Sequence, residues 1–190
     1  MKLQILGCVF LFVSALTVLF HSARTNHPAR NTSQSVIEEI VDVPMRDGVM
    51  LRADLLRRAR DGHFPVLVYR TPYGRKFAET EYTTFQRAVE RGYAVLIQDV
   101  RGRYDSGGEF RPYENEGRDG FDTIEWASRQ SWSNGNIGTF GLSYPGAVQW
   151  LAAVNNPPHL KAMVPAMTFS SERMLAQRNC RRNRADIACR

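Results

Sequence analysis

Residues 136–154 read NIGTFGLSYPGAVQWLAAV, which is a short apolar stretch, a turn of small residues and a second apolar stretch. The first stretch predicts a strand over residues 136–140, and the second predicts a helix over residues 146–154. Gly141 lies two residues before Ser143 and leaves the room that a sharp turn between strand and helix requires. Ser143 is therefore predicted to project its hydroxyl from a strained turn, as a candidate nucleophile. An ordinary turn of glycine, serine and proline with no chemical role is the alternative interpretation.

The rest of the body alternates between strand and helix patterns. An Asp-Gly pair at residues 47–48, between two apolar stretches, predicts a β-hairpin. From residue 65 onward, apolar strands alternate with helices, which is typical of a parallel sheet covered on both faces. The sequence thus predicts an α/β fold with a mostly parallel sheet and an N-terminal β-hairpin. The predicted strands span residues 37–43, 49–56, 65–69, 93–100 and 160–167, and the other predicted helices span residues 78–91 and 116–130.

The composition is that of one globular domain, with 190 residues of which 43% are hydrophobic. The net charge of +6 comes from the two ends, since residues 35–172 carry a net charge of −2. Because this body is mildly acidic and holds no basic stripe interleaved with aromatic residues, nucleic acid is not expected as a partner. The three cysteines, Cys8, Cys180 and Cys189, form neither a disulfide framework nor a zinc-binding spacing. We expect no metal and no cofactor.

The helix predicted over residues 116–130 carries an acidic residue at every third position, namely Asp119, Asp122 and Glu125. Three carboxylates on one helix face could form a metal cluster, but a solvated helix face is the commoner arrangement. The sequence therefore predicts that these three side chains face water.

The two ends differ from the body in composition. Residues 3–20 form an apolar run, which predicts either a cleaved signal peptide within residues 1–24 or a retained N-terminal membrane anchor. Either way we expect an exported protein, periplasmic or secreted, or one that is anchored to a membrane, with a linker over residues 25–35. Residues 171–190 hold six Arg and two Cys, with neither helical nor strand periodicity. This Arg-rich tail is either a solvated basic extension or an out-of-frame sequence.

Five motifs occur in order along the body. They are PMRDG at residues 44–48, RTPYG at 70–74, QDVRGR at 98–103 with Ser106 and Gly108, WSNG at 132–135 and GLSYPG at 141–146. Together they resemble the cocaine esterase and X-prolyl dipeptidyl peptidase family of α/β hydrolases, and five ordered motifs are more specific than any one. The Ser-Tyr-x-Gly turn of that family also explains why the second glycine stands at Gly146 rather than at position 145.

The resemblance implies a partial α/β-hydrolase domain over residues 36–170, without the later strands and the C-terminal β-sandwich domain of the relatives. It also implies acyl transfer, in which Ser143 attacks the carbonyl of a small-molecule ester or a peptide and forms an acyl-enzyme. The developing negative charge would be held by the backbone amide of Tyr144 and by the phenol of Tyr73, which matches a tyrosine of the relatives.

A serine hydrolase of this fold needs an acid and then a histidine after its nucleophile. After Ser143 the only histidine is His159, with no Asp or Glu between them. His63 precedes a strand and so is expected at the opposite edge of the sheet. The sequence therefore predicts either a truncated serine hydrolase with an incomplete triad or a non-catalytic binding or assembly protein that retains half of the domain. The substrate and the oligomeric state are left open.

Overall fold

The computed structural model describes residues 36–58 and 62–169, with the backbone alone at residues 79–82. The predicted signal peptide or anchor, the linker and the Arg-rich tail lie outside the described residues. The described strands are β1 (Val36–Pro44), β2 (Met50–Arg58), β3 (Phe64–Thr71), β4 (Ala94–Asp99), β5 (Ser133–Leu142) and β6 (Leu160–Ala166). The described helices are α1 (Tyr82–Glu90), α2 (Glu116–Ser128) and α3 (Tyr144–Ala153), with a 3-10 helix at Arg75–Glu81.

The N-terminal hairpin forms as the sequence predicts. β1 and β2 pair antiparallel, with Val36 opposite Arg58 at the open end. At the turn, Gly48 has a φ of +83°, a conformation that glycine adopts without steric cost. Its N–H donates to the Met45 carbonyl at 2.9 Å and so closes the turn.

The six strands form one sheet in the order β1-β2-β4-β3-β5-β6. β2 pairs antiparallel with β4, whereas β3 pairs parallel with both β4 and β5, and β5 pairs parallel with β6. This topology confirms the predicted α/β fold, in which an N-terminal hairpin precedes a mostly parallel set of strands. Because the carboxyl ends of β3, β4, β5 and β6 lie at one edge of the sheet, the loops that follow these strands converge there.

Apolar side chains cover both faces of the sheet. Along β4, Ala94 and Leu96 belong to the core on one face while Val95 and Ile97 belong to the core on the other, following the strand period of two. Helices α2 and α3 contribute to the first core, and helix α1 contributes to the second. Burial on both faces is the usual requirement of a parallel sheet.

Two predicted helix boundaries are wrong. Helix α3 begins at Tyr144 rather than at residue 146. Pro145 is compatible with its first turn, because an N–H at that position would have no hydrogen-bond acceptor within the helix. The first four residues of the helix predicted over residues 78–91 belong to the 3-10 helix, and the α-helix begins only at Tyr82. The apolar pair at helical spacing that packs on the sheet, Phe85 and Val89, lies in that α-helical part.

The acidic face of α2 is buried, so the prediction that it faces water is wrong. Asp119 and Glu125 are 1% and 7% exposed. Each carboxylate meets a basic side chain from a distant segment, and pairing of this kind is what lets a charged face turn inward. Helical periodicity does not reveal such partners. The pairs are Asp119 with Arg101 and Asp122 with Arg46, both at 2.7 Å, and Glu125 with His159 at 2.8 Å.

No helix within residues 36–58 and 62–169 is long and apolar enough to cross a membrane. The apolar run at residues 3–20 lies outside that region. Across the same described residues, no group of three His, Cys, Asp or Glu side chains is placed to hold a metal ion.

Candidate active site

Ser143 joins β5 to α3 in a strained conformation. Its φ of +63° and ψ of −118° fall in a region that residues other than glycine rarely adopt. Gly141 precedes it with a φ of +149°, and a Cβ at this position would lie 2.4 Å from Pro145 Cβ. Only glycine therefore fits two residues before the serine. Strain of this kind at Ser143 is typical of functional sites.

The backbone of Ser143 is held on both sides while its side chain is exposed. Its N–H donates to the Ala166 carbonyl of β6 at 3.0 Å, and its carbonyl accepts the N–H groups of Gly146 and Ala147 at 3.0 and 2.9 Å. The side chain stands at the N-cap position of α3 but makes no capping hydrogen bond within that helix. An exposed hydroxyl on a rigid backbone at a helix N-terminus has the geometry of a nucleophile.

Tyr144 follows Ser143 and begins α3, so its N–H belongs to the turn whose donors have no partner within the helix. Its ring is buried and stacks on the Tyr113 ring, with the centroids 4.4 Å apart. The Tyr144 hydroxyl donates to Glu116 Oε1 at 2.9 Å and accepts the Tyr113 N–H at 3.3 Å. Burial, reinforced by the Glu116 carboxyl, raises the pKa of the Tyr144 hydroxyl well above its usual range, so the phenol stays protonated.

Tyr73 lies in the loop after β3, at the same edge of the sheet as Ser143. Its side chain is 55% exposed, and its ring meets the Tyr144 ring edge-on with the centroids 6.4 Å apart. The Tyr73 N–H donates to Thr71 Oγ1 at 3.1 Å, and its carbonyl accepts the Tyr104 hydroxyl at 2.7 Å. The structure therefore brings the three residues predicted from the sequence to one edge of the sheet. Their roles in a reaction stay predictions.

The sequence alone does not predict a group of buried polar side chains behind Tyr144. Glu116, at the start of α2, is 2% exposed, and its Oε2 lies 2.9 Å from Arg70 Nη2. Arg70 Nε donates to Gln98 Oε1 at 2.8 Å, and the Thr123 hydroxyl donates to the same oxygen at 3.0 Å. Burial raises the pKa of the Glu116 carboxyl, and the Arg70 guanidinium acts against that rise. Polar residues near the ends of two apolar strands, Arg70 and Gln98, are the pattern that could have indicated this group.

Ion pairs of Arg75 connect the loop that carries Tyr73 to the rest of the domain. Its guanidinium is buried and meets three carboxylates, each at 2.7 Å. Burial raises the pKa of one of these acids, Asp99, and the hydrogen bonds from Arg75 oppose the rise. Because Arg75 lies two residues after Tyr73, these contacts restrict the movement of the loop. The three carboxylates belong to Asp54, Asp99 and Asp105.

The two described histidines lie at the other edge of the sheet from Ser143. His159 precedes β6, and its Nδ1 is 2.8 Å from Glu125 Oε2. Its carbonyl accepts the Ile137 N–H at 3.0 Å, which places it beside the first half of β5. About six residues of extended strand, or about 20 Å, separate that point from Ser143. His63 immediately precedes β3, which runs parallel to β5, so it lies at the same distant edge.

A strained serine turn between strand and helix, at the carboxyl edge of a mostly parallel sheet, places the chain in the class of α/β hydrolases. The family model described as X-Pro dipeptidyl-peptidase (S15 family) matches residues 47–185. The chain belongs to this family. The matched range includes residues 171–185 of the Arg-rich tail, and the domain boundary expected at residue 170 stays a prediction.

Named relatives match the chain over a minority of their own length. Cocaine esterase of Rhodococcus sp. (strain MB1 Bresler) is 48% identical over 130 residues, which make up 67% of this chain and 23% of that protein. The solved structure of an α-amino acid ester hydrolase has a TM-score of 0.66 and 31% identity, over 77% of this chain and 28% of that chain. A CocE/NonD family hydrolase from Staphylococcus aureus has a TM-score of 0.64 and 30% identity, over 75% and 32%. The chain thus spans between about a quarter and a third of these relatives.

Proposed function

We propose that this domain supplies the nucleophile and the oxyanion-binding groups of a serine hydrolase that cleaves small-molecule esters or amides, peptides included. The observation that carries the proposal is the strained turn at Ser143, whose side chain is exposed and makes no capping hydrogen bond. The similarity to a protein named as an esterase and to one named as an ester hydrolase supports the reaction class.

In the proposed reaction, the hydroxyl oxygen of Ser143 attacks the carbonyl carbon of the substrate while a base takes the hydroxyl proton. The bond from that carbon to the leaving oxygen or nitrogen breaks, the leaving group takes up a proton, and an ester between the acyl group and Ser143 remains. Water then attacks this ester, releases the carboxylic acid and restores the hydroxyl. The positive end of helix α3 favours the negative charge that develops in each attack.

Two donors would hold that charge. One is the backbone N–H of Tyr144, and the other is the hydroxyl of Tyr73. Tyr73 suits this role because its ring is exposed and lies edge-on to Tyr144, whose own hydroxyl is already bound to Glu116. One such donor contributes about 2.7–4 kcal/mol of transition-state stabilisation.

The described residues place no histidine within reach of Ser143, so they do not supply the base. We propose that the chain is a fragment of the hydrolase, and that the acid and the histidine come from parts of the protein that correspond to the unmatched length of the relatives. A small external base such as imidazole would then take the place of the missing histidine.

The same proposal includes a location outside the cytoplasm or at a membrane. Its support is the apolar run at residues 3–20, which is followed by a polar stretch. Protease protection of the expressed chain in intact and in permeabilised cells, together with separation of the membrane and soluble fractions, tests it. A chain that is protected from external protease until the cells are fully lysed, and that is then found in the soluble fraction, would contradict it.

The proposed reaction is tested by acetylation of the full chain with p-nitrophenyl acetate at increasing imidazole concentration. Release of p-nitrophenolate gives the rate, and intact-protein mass spectrometry counts the acetyl groups added. We expect an imidazole-dependent acetylation that disappears in Ser143→Ala. Tyr73→Phe is expected to slow it by about 10²–10³-fold. Tyr93→Phe is the matched control, because Tyr93 immediately precedes β4 at the opposite edge of the sheet.

Without imidazole we expect no turnover above that of Ser143→Ala, since loss of a triad base costs several orders of magnitude in rate. Equal acetylation of the parent and Ser143→Ala at every imidazole concentration would contradict the proposed function. That result would favour the other interpretation of the sequence, a non-catalytic protein that binds or assembles through this domain.

A further inference from the structure

The ring of Tyr144 is fixed by Glu116 and Tyr113, which take no part in the proposed reaction. Its hydroxyl donates to Glu116 Oε1 at 2.9 Å, and its face stacks on Tyr113 at 4.4 Å between centroids. Two further rings, Tyr73 and Phe110, approach it at 6.4 and 6.3 Å. Tyr144 directly follows Ser143, so whatever fixes this ring also fixes the backbone of the turn.

Glu116 is an unusual residue to find buried against the Tyr144 hydroxyl. A buried carboxylate is unfavourable unless it is paired and hydrogen-bonded. Here Arg70 Nη2 lies 2.9 Å from Glu116 Oε2, although the two atoms are not aligned as a hydrogen bond. The first turn of α2 also favours negative charge at this position. An apolar side chain would fill the same space without loss of hydration, but it could not accept a directional hydrogen bond from Tyr144.

We propose that Glu116 is a positioning residue for the nucleophilic turn. By accepting the hydrogen bond of the Tyr144 hydroxyl it holds the ring, and through the ring it holds the Tyr144 amide and the Ser143 side chain in line with a substrate carbonyl. This inference rests on the proposed function, since it assigns Glu116 a part in the reaction of Ser143 without contact between Glu116 and the substrate.

The strain at Ser143 is the reason that such an anchor matters. A residue with a φ of +63° keeps that conformation only when the surrounding structure restrains it from more than one side. The N–H of Ser143 is bound to β6 on one side, and its carbonyl accepts two N–H groups of α3 on the other. The hydrogen bond between the Tyr144 hydroxyl and Glu116 adds a third restraint. It connects the turn to α2, which carries Glu116, and to β3, which carries Arg70.

The test places a titratable group at the reacting position through Ser143→Cys in the full chain. The pKa of a thiol falls when backbone N–H groups and a helix N-terminus stabilise the thiolate, so this pKa reports how well the turn is arranged. Alkylation by iodoacetamide is followed across about pH 5–10, which brackets the usual thiol pKa. Peptide mass spectrometry separates the introduced thiol from Cys8, Cys180 and Cys189.

Three variants are made in that background. Tyr144→Phe keeps the ring and removes its hydroxyl, Glu116→Met removes the acceptor, and Glu116→Gln keeps an acceptor oxygen. We expect Tyr144→Phe and Glu116→Met to raise the thiol pKa by about one unit, which lowers alkylation about tenfold at pH values well below the thiol pKa of the parent. Glu116→Gln keeps the acceptor and loses only the charge, so its thiol pKa is expected at or slightly below that of the parent. Loss of a negative charge alone would lower the thiol pKa, so a rise in Glu116→Met reports position rather than charge.

Phe85→Leu controls for a general loss of stability. Phe85 belongs to the core under α1, on the face of the sheet away from Glu116, so this variant is expected to melt earlier without a change in the thiol pKa. A lowered thiol pKa in the parent that either Tyr144→Phe or Glu116→Met fails to raise overturns the positioning role of Glu116 alone. An ordinary thiol pKa in the parent overturns it together with the proposed activation of Ser143, which the imidazole experiment then tests separately.

Discussion

Replacing Gly141 by alanine would bring a methyl group into the space that Pro145 occupies. The added Cβ would lie 2.4 Å from Pro145 Cβ, 2.9 Å from its carbonyl carbon and 3.0 Å from its carbonyl oxygen, and the last two atoms are backbone of α3. The φ of +149° at Gly141 adds strain of about 1–3 kcal/mol for any other residue. Relief of the overlap costs about 1–3 kcal/mol more. We therefore expect Gly141→Ala to lower the free energy of unfolding by about 2–6 kcal/mol.

Gly48→Ala is the matched control for this variant. Gly48 also has a positive φ, +83°, but an added Cβ there meets nothing within 4 Å. It should lose only the backbone contribution, about 1–2 kcal/mol. Urea unfolding of the full chain, followed by circular dichroism and extrapolated linearly to water, measures both losses. A loss in Gly141→Ala no larger than that in Gly48→Ala would refute the close contact between the turn and α3.

Three further predictions concern charge and packing. Asp47→Asn should lower the free energy of unfolding by about 0.2–1 kcal/mol at neutral pH, because the Arg101 guanidinium holds the pKa of the Asp47 carboxyl below its usual range. Because the pKa of Asp47 is lower in the native state, its charge stabilises the fold above the ordinary aspartate pKa. The difference in unfolding free energy between parent and variant should therefore vanish as the pH falls through the pKa of Asp47 in the native state. A difference in urea unfolding that persists in acid would contradict this explanation. Arg75→Met leaves the buried carboxylate of Asp99 without its guanidinium partner and should cost about 3–5 kcal/mol in urea unfolding. An equal loss in Arg111→Met, which breaks an exposed pair, would argue against this reasoning. Phe85→Ala, at 0% exposure, should cost about 3–5 kcal/mol, and thermal melting should show a much smaller loss for Phe77→Ala, at 69% exposure.

Features with a local pattern could be predicted from the sequence. The Asp-Gly pair sets the hairpin because a glycine such as Gly48 adopts positive φ freely, and turn chemistry of this kind acts within a few residues. The period of the apolar residues likewise distinguishes the strands from the helices after residue 65. The parallel sheet follows from their alternation, since strands joined by crossover helices return in the same direction.

Strand ends depend on partners that are distant in sequence, and they were harder to predict. β5 runs over Ser133–Leu142, well beyond the five residues predicted for it. At its start Ser133 pairs with Phe64, and at its end Leu142 pairs with Ala166. Hydrogen bonds to neighbouring strands therefore extend β5 through glycines and polar residues that lack a strand pattern.

The residues of the candidate site also differ in whether a local pattern or a distant partner determines their position. Ser143 and Tyr73 could be placed at one edge because each follows a strand that the apolar pattern reveals. Glu116 could not be placed, because its partner Tyr144 is 28 residues away and the carboxyl is buried against the expectation for an acidic residue. The prediction that the acidic face of α2 is solvated was wrong for the same reason, since the basic partners of Asp119 and Asp122 come from other segments of the chain.

The central claim is that Ser143 is the reactive nucleophile of this domain. Its most direct test is peptide mass spectrometry of the full chain after reaction with a fluorophosphonate in the presence of imidazole. We predict one phosphonyl group per chain, located on Ser143 and absent from Ser143→Ala. A group found on other serines of the same peptide, such as Ser131 or Ser133, or equal labelling of Ser143→Ala, would contradict the claim.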